Sequence, residues 1–432
     1  MAGVNQPAAT GYDFSTFGKG GALLALSFAL GCGGAAKPPS TASTAEATPA
    51  PKAAPGPAFD LEGMMAKEAT GLTERDVSGP EQAWSAKVPS AGDAKLTMVG
   101  EIQLVEIPVA SGSSIRCQVH PESIDAAGTM YGVIKESAAR VEYRRVAPAG
   151  VKLIGDSPAA FLEALYVTDV PGGKAAGGLK LAIHARPGRS LFCLHDELGY
   201  RQTFQQVASA FFNSFRAAKE APDPATYTEV SVIKLDDLPV GFHVMRLLPS
   251  EKPGERECDD RSSSFIPTSA TDLMFEDSFN ITRYNAKGQI AEDTFVEANQ
   301  GELNLQLKLT RGNDGKYSYE GTVSGKKLNG ALATPKGLTS LQQTAATLRK
   351  KLKGGGAFQD VVDEYHPSID PTAVVPVTYA HAKGAPPRQV TMKLGERVIT
   401  TEVDDDGMRK SGGFELGKHK LTFDRLRVAG RP

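Results

Sequence analysis

The sequence lacks long hydrophobic runs and an excess of charge of one sign. No uninterrupted apolar run reaches about 18 residues, which excludes a polytopic membrane protein. The 48 Lys and Arg residues nearly balance the 50 Asp and Glu residues, so no broad positive field exists to hold the phosphates of a nucleic acid. We therefore expect no nucleic-acid partner.

Common catalytic signatures are also missing. None of the seven histidines stands in an HExxH motif, and no Gly-x-Ser-x-Gly elbow occurs. Trp84 is the only tryptophan, so no aromatic stacking platform is present in the sequence. The sequence predicts no catalytic residue, no metal and no cofactor. A hydrolase assembled from residues distant in sequence is the alternative.

The 432 residues, 41% of them hydrophobic, are long enough for two or three domains with real cores. Residues 33–57 differ in composition, with eight Ala and six Pro. Such a segment has almost nothing to bury, so we expect a disordered tether over 32–57. Two domains then follow, over 58–222 and 227–432, with Pro222-Asp223-Pro224 at the boundary.

Residues 20–31 form an uncharged apolar stretch of twelve residues, which is too short to span a bilayer as a helix. The stretch runs through Phe28-Ala29-Leu30-Gly31 into Cys32, and here the sequence resembles the lipobox of bacterial lipoprotein signals. The resemblance implies a signal peptide over 1–31, cleavage before Cys32, and a thioether lipid on Cys32 with an acyl chain such as palmitate on its amine. Gly33 follows the cysteine, which in that family implies the outer membrane. The alternative is a signal peptide cleaved elsewhere, with Cys32 incidental.

The first domain reads as mixed α/β. Alternating patterns predict strands over 95–108, 140–146, 179–184 and 190–195. Ser157-Pro158 predicts the start of a helix with Phe161, Leu162 and Leu165 on its apolar face, and a second amphipathic helix is predicted over 203–218. Residues 195–215 resemble the closing segment of the PsbP and Mog1-like fold, which implies a sandwich-like α/β domain.

The second domain reads as mainly antiparallel β-sheet, which makes the whole chain α+β. Alternating leucines over 303–309 and the turn at 312–315 predict a hairpin, and 285–288 predicts another. Further strands are predicted over 389–394, 398–403 and 421–428. One helix is predicted on Leu341, Ala345, Leu348 and Leu352, ending at Gly354. This arrangement resembles the half-barrel with which bacterial lipoprotein carriers enclose acyl chains.

Cys117 and Cys193 both fall on predicted strands of the first domain. In an oxidising envelope we expect them to form a disulfide. The alternative is a zinc site built from these two cysteines with His120 and His195, although strand alternation turns Cys117 and His120 to opposite faces. Cys258 has acidic neighbours that disfavour a thiolate, so we do not expect a nucleophile there.

Two acidic segments are explained by local structure without a functional role. His195-Asp196-Glu197 is the densest titratable triplet, and because strand neighbours point to opposite faces we interpret it as a solvated strand end. Residues 402–407 imitate the start of a calcium loop, but Gly413 stands where a bidentate Glu belongs. That segment predicts a hairpin turn.

These observations predict a lipid-anchored protein of the cell envelope with a non-enzymatic binding or scaffolding role. Its expected partners are the membrane, through the anchor on Cys32, and either an apolar ligand such as a lipid or another envelope protein.

Overall fold

The computed structural model describes residues 61–171, 173–219, 222–334 and 337–432. The predicted signal peptide, Cys32 and the tether lie outside the described residues. Within these ranges, no helix has both the length and the apolar character needed to cross a membrane. Antiparallel strands dominate and helices are few, which confirms the α+β class at this coarse level.

The helices of the described ranges are short. They are α1 (Leu61–Met65), a 3₁₀ turn (Pro80–Gln82), α2 (Ala126–Ser137), α3 (Arg201–Ser214) and α4 (Leu341–Lys353).

The strands form three antiparallel sheets. The first sheet, in the order β1-β2-β10, contains β1 (Thr73–Ser78), β2 (Trp84–Ser90) and β10 (Arg216–Ala217). The second, in the order β3-β4-β5-β9-β8-β7-β6, contains β3 (Lys95–Val99), β4 (Ile102–Ala110), β5 (Ser113–His120), β6 (Glu142–Ile154), β7 (Ser157–Val170), β8 (Gly173–Arg186) and β9 (Arg189–His195).

The third sheet has fourteen strands and follows chain order, except that β11 pairs with β24 and so joins two arms. One arm contains β11 (Tyr227–Leu235), β12 (Leu238–Pro249), β13 (Arg256–Pro267), β14 (Leu273–Tyr284), β15 (Ile290–Asn299), β16 (Glu302–Arg311), β17 (Tyr317–Val323) and β18 (Lys326–Leu332). The other contains β19 (Phe358–Glu364), β20 (Val375–His381), β21 (Gln389–Leu394), β22 (Arg397–Val403), β23 (Arg409–Leu416) and β24 (His419–Gly430). Both predicted hairpins are confirmed, as β14–β15 and β16–β17.

The central strands of the second sheet are covered on both faces, whereas its edge strand β3 is mostly exposed. On one face, Phe204 and Phe211 of α3 join Trp84 of β2 in a core with β4, β5 and β9. On the other face, α2 packs in a core that also takes in Phe265 and Phe275 of the third sheet. The two units therefore share a hydrophobic core instead of meeting only through a linker.

The helix predicted from Ser157-Pro158 is wrong, because this segment is strand β7. Alternate residues of β7 enter the two cores just described: Ala159 and Phe161 enter one, and Ala160 and Leu162 enter the other. A strand buried on both faces has a continuous apolar run, and such a run fits a helical period as well as a strand period.

Helix α2 was not predicted, and α3 ends four residues earlier than predicted, at Ser214. Gly128 and Gly132 weaken the helical pattern of α2. Its first turn is stabilised from the other unit, since Asp277 of β14 accepts hydrogen bonds from the backbone N–H groups of Ala127 (3.1 Å) and Gly128 (2.7 Å).

Helix α4 lies between the two arms of the third sheet. Its N-cap Ser340 forms a capping box with Gln343. Ala345 packs in a core with β11–β18, and Leu348 packs with β20, β21 and β22. Because both arms reach the same helix, the sheet is curled, and we call the side that packs on α4 its inner face. The predicted helix over 341–352 is confirmed.

Candidate ligand-binding site

Two rows of cross-strand neighbours run along the inner face of the third sheet. Residues directly opposite each other in an antiparallel pair point to the same face. The first row is His243, Ser262, Ser278, Glu297, Leu305 and Val323. The second is Met245, Asp260, Asn280, Phe295, Leu307, Gly321 and Leu328. We call these two rows the inner strip.

The inner strip changes from polar to apolar along its length. Its half-buried side chains on β12–β14 are polar or charged, those on β17 and β18 are the aliphatic Val323 and Leu328, and β15 contributes one of each in Glu297 and Phe295. Met245, Leu305 and Leu307 belong to the buried core beneath these side chains. Most of these residues are half-buried, including Phe295, Val323 and Leu328. The next row, from Leu247 to Tyr319, is buried in the core. The strip is therefore a partly accessible amphipathic surface above a filled core.

His243 and Asp260 form an ion pair at the polar end of the strip, with Nε2 and Oδ1 2.8 Å apart. Burial opposes protonation of the imidazole, but the Asp260 carboxylate outweighs it and raises the pKa of His243 above its usual value. Both side chains keep part of their surface, 26% for His243 and 36% for Asp260. The pair can therefore meet a bound molecule.

A second charged group closes the seam between the two arms of the sheet. Arg425 of β24 contacts Glu229 of β11 at 3.0 Å and Asp404 at 2.6 Å. Tyr227 donates its hydroxyl to Glu229 at 2.6 Å, and burial together with that carboxylate raises the pKa of Tyr227. Arg425 and Glu229 are both only 8% exposed, so this group holds the strands together beneath the accessible part of the inner face.

Several acceptors on the inner face lack donors. Glu276 stands opposite Asn299 in the row beside the strip, and burial, followed by Glu297 and Asp277, raises its pKa. Within the described ranges, no hydrogen bond or ion pair reaches the Glu276 carboxylate, and the buried Oδ1 atoms of Asn280 and Asn299 have no donor. The polar end of the strip and the row beside it thus contain oxygen acceptors that no donor reaches within the described ranges.

The two cysteines of the predicted disulfide lie directly opposite each other on β5 and β9, and their sulfurs are joined at 2.06 Å. The zinc alternative is therefore wrong, because neither sulfur remains as a ligand. His120 contacts Gln118 at 3.0 Å instead. Cys258 is buried, and burial, followed by the surrounding carboxylates, raises the pKa of its thiol.

The interpretation of residues 195–197 as a solvated strand end is correct only in part. Asp196 and Glu197 are half-exposed, but His195 is fully buried. Its Nε2 lies 3.2 Å from Ser113 Oγ and 4.0 Å from Glu197 Oε1. Burial, followed by Lys180, lowers the pKa of His195 to about 3.

That constellation does not form a catalytic triad. Triad geometry places the nucleophile and the acid on opposite ring nitrogens, whereas Ser113 and Glu197 both approach Nε2. Ser113 is also buried, at 3% exposure. A cleft of about 400 Å³ beside it is lined by Lys67, Tyr166 and Glu197, among others, but neither Ser113 nor His195 lines that cleft.

The segment that imitates a calcium loop is the turn between β22 and β23, as predicted. One carboxylate oxygen of Asp404 accepts the backbone N–H groups of Asp406 and Met408, and the other accepts from Arg425. Within the described ranges, no three His, Cys, Asp or Glu side chains are grouped to hold a metal ion. Asp404 thus stabilises the turn between β22 and β23 and, through Arg425, the junction between the two arms of the third sheet.

Comparisons with known proteins leave the family open. No protein-family model matches the chain, and no curated protein matches it by sequence. A β-barrel-like protein of the domain of unknown function DUF1849 from Brucella abortus is 15% identical over 48% of this chain and 98% of its own, with a TM-score of 0.37. A DUF1089 family protein from Pseudomonas aeruginosa is 13% identical over 45% and 91%, with a TM-score of 0.23. At these TM-scores, neither likeness bears on the function.

Sequence reasoning did not find the inner strip. The alternating leucines of β16 indicated a buried face, but His243, Asp260 and Glu276 come from three strands whose register is invisible in the sequence. The one available signal was the run of polar residues over 259–264 within a predicted sheet.

Proposed function

We propose that this chain is a lipid-anchored protein of the cell envelope that binds an amphipathic or apolar ligand without chemical conversion. The anchor is the lipid on Cys32, the tether over 33–57 lifts the folded part from the outer membrane, and the inner strip holds the ligand. The observation that carries the binding role is the half-buried polar-to-apolar gradient of the strip. Half-exposed aromatic and aliphatic side chains beside a few placed polar groups are typical of ligand sites.

We also propose that the first unit, over 58–222, is sandwich-like. Support comes from the layers on its central sheet, with α3 and β2 on one face and α2 on the other. The second unit, over 227–432, contains the site.

The anchor and the binding role are tested separately. Metabolic labelling with a radioactive fatty acid should mark the full chain and fail to mark the Cys32→Ser variant. For binding, the full chain carrying Cys32→Ser is mixed with N-phenylnaphthylamine, whose fluorescence rises in apolar surroundings. A saturable rise that Phe295→Asp weakens supports the proposal. An unsaturable signal, or one indifferent to Phe295→Asp while the fold is retained, overturns the binding role.

An envelope hydrolase is the second candidate, and one contact favours it. His243 pairs with Asp260 on a partly accessible surface, and Ser262 lies directly opposite His243. However, the Ser262 hydroxyl lies 2.8 Å from that of Ser278. A fluorophosphonate that labels Ser262, with loss of labelling in His243→Gln, would establish the hydrolase.

A further inference from the structure

The carboxylates at the polar end of the inner strip bear on which head group an amphipathic ligand carries. At its polar end and in the adjoining row, the strip presents the carboxylates of Asp260, Glu276 and Glu297. Only Asp260 has a cationic partner among the described residues, in His243. Glu297 accepts hydrogen bonds from the neutral side-chain amides of Asn304 (2.9 Å) and Asn299 (3.4 Å), which neutralise no charge.

The apolar end defines where the rest of the ligand lies. From Phe295 on β15 the strip crosses three strand spacings to Leu328 on β18, or about 14 Å at about 4.8 Å per strand. Val323 lies on the same path in the first row, next to Leu305, which is buried in the core. Lys326 then stands opposite Val323 at the exposed edge strand, so the positive charge lies at the far end from the carboxylates.

From this arrangement we propose that the ligand is a long-chain amphipath with a cationic amine head. The amine lies against Glu276, which no donor reaches within the described ranges, and against Glu297, whose donors there are neutral amides. The chain runs over the half-buried Phe295, Val323 and Leu328. This inference rests on the proposed binding role of the strip. Two neighbouring carboxylates repel each other, and an amine between them relieves that repulsion while it gains charge-assisted hydrogen bonds.

The test compares head groups on one chain length. The full chain with Cys32→Ser is loaded with N-phenylnaphthylamine at pH 7, and dodecylamine, dodecanol and dodecanoate are titrated below their micelle concentrations. We expect dodecylamine to displace the dye at about a tenfold lower concentration than dodecanoate, since tenfold in affinity corresponds to about 1.4 kcal/mol. The double variant Glu276→Gln, Glu297→Gln should remove this preference and leave dodecanol unaffected.

The matched control is Glu320→Gln, because Glu320 is exposed on the opposite face of the sheet, on β17. It should keep the full preference for the amine. If the double variant fails to fold, as judged by circular dichroism, the comparison of the three head groups on the protein with an unmodified strip still tests the preference for an amine. Equal displacement by amine and carboxylate overturns the cationic head and leaves the binding role standing. Failure of all three compounds to displace the dye overturns the binding role, and this inference with it.

Discussion

The ring of Tyr166 on β7 covers Gly177, its direct neighbour on β8, so closely that a side chain at residue 177 would overlap the ring. Glycine in a strand leaves the sheet without a packed side chain, and an aromatic ring on the next strand fills that gap. The same relationship recurs in the third sheet, in the cross-strand pairs Tyr319–Gly330 and Phe423–Gly412.

Gly177→Ala should therefore destabilise the protein by about 1–3 kcal/mol, the usual cost of overpacking. Urea unfolding followed by circular dichroism measures it. Gly92→Ala is the control, because its new methyl group would meet nothing closer than the Pro108 side chain at 3.9 Å. In a Tyr166→Ala background the cost of Gly177→Ala should shrink. An equal cost in both backgrounds would show that the ring is not the cause.

The seam between the arms of the third sheet supplies a second prediction. Arg425→Met leaves the Glu229 carboxylate, 8% exposed, without its cation, and loss of one partner of a buried ion pair costs about 3–5 kcal/mol. Lys234→Met is the matched control on the same two strands, because Lys234 and Asp424 are 29% and 44% exposed and exposed pairs contribute about 1 kcal/mol or less. Equal losses in the two variants, compared by urea unfolding, would contradict a special role for burial.

Much of the sheet structure could be predicted from local patterns. The leucines of β16, the turn at 312–315 and the stripe of α4 each follow from one segment of the sequence, and all three are confirmed. The failure at Ser157 has a physical reason, since β7 is buried on both faces and loses the alternation that marks a half-exposed strand. Helix α2 depends on Asp277, 150 residues away from Ala127 in the chain, and no local pattern contains that contact.

The candidate site depends on register even more strongly. His243 and Glu297 reach one row only because the four strands from β12 to β15 pair in a particular alignment. A shift of one residue in any pairing would turn one of them to the other face. A single sequence identifies strands but not the register in which they pair. The sequence therefore predicted a binding surface but not the residues that form it.

The buried histidines of the first unit predict acid sensitivity. Burial lowers the pKa of His120 and His184 to about 4, and that of His195 to about 3. Below pH 6.5 these histidines are protonated in the unfolded chain but stay neutral in the folded chain. The free energy of unfolding should therefore decrease as the pH drops from 6.5 toward 4. Each histidine contributes about 1.4 kcal/mol per pH unit in this window.

Urea unfolding between pH 7 and 5, followed by the fluorescence of buried Trp84, measures this loss. His195→Gln should reduce the slope of stability against pH relative to the parent chain, and groups outside residue 195 cancel in the comparison. His419→Gln is the control, since His419 is 43% exposed beside Asp236. An unchanged slope in His195→Gln would contradict the prediction.

The disulfide between Cys117 and Cys193 predicts both a mass and a stability change. Reduction and unfolding should raise the intact mass by two hydrogens, and the variant Cys117→Ser, Cys193→Ser should lose that shift. The bridge closes a separation of 76 residues, so on the chain-entropy model its loss costs about 4 kcal/mol. Cys258→Ser is the control, because that thiol is free and buried and its removal leaves the shift intact. A two-hydrogen shift that persists in the double variant would place the bridge elsewhere in the chain. It would also contradict the predicted loss of stability on removal of Cys117 and Cys193.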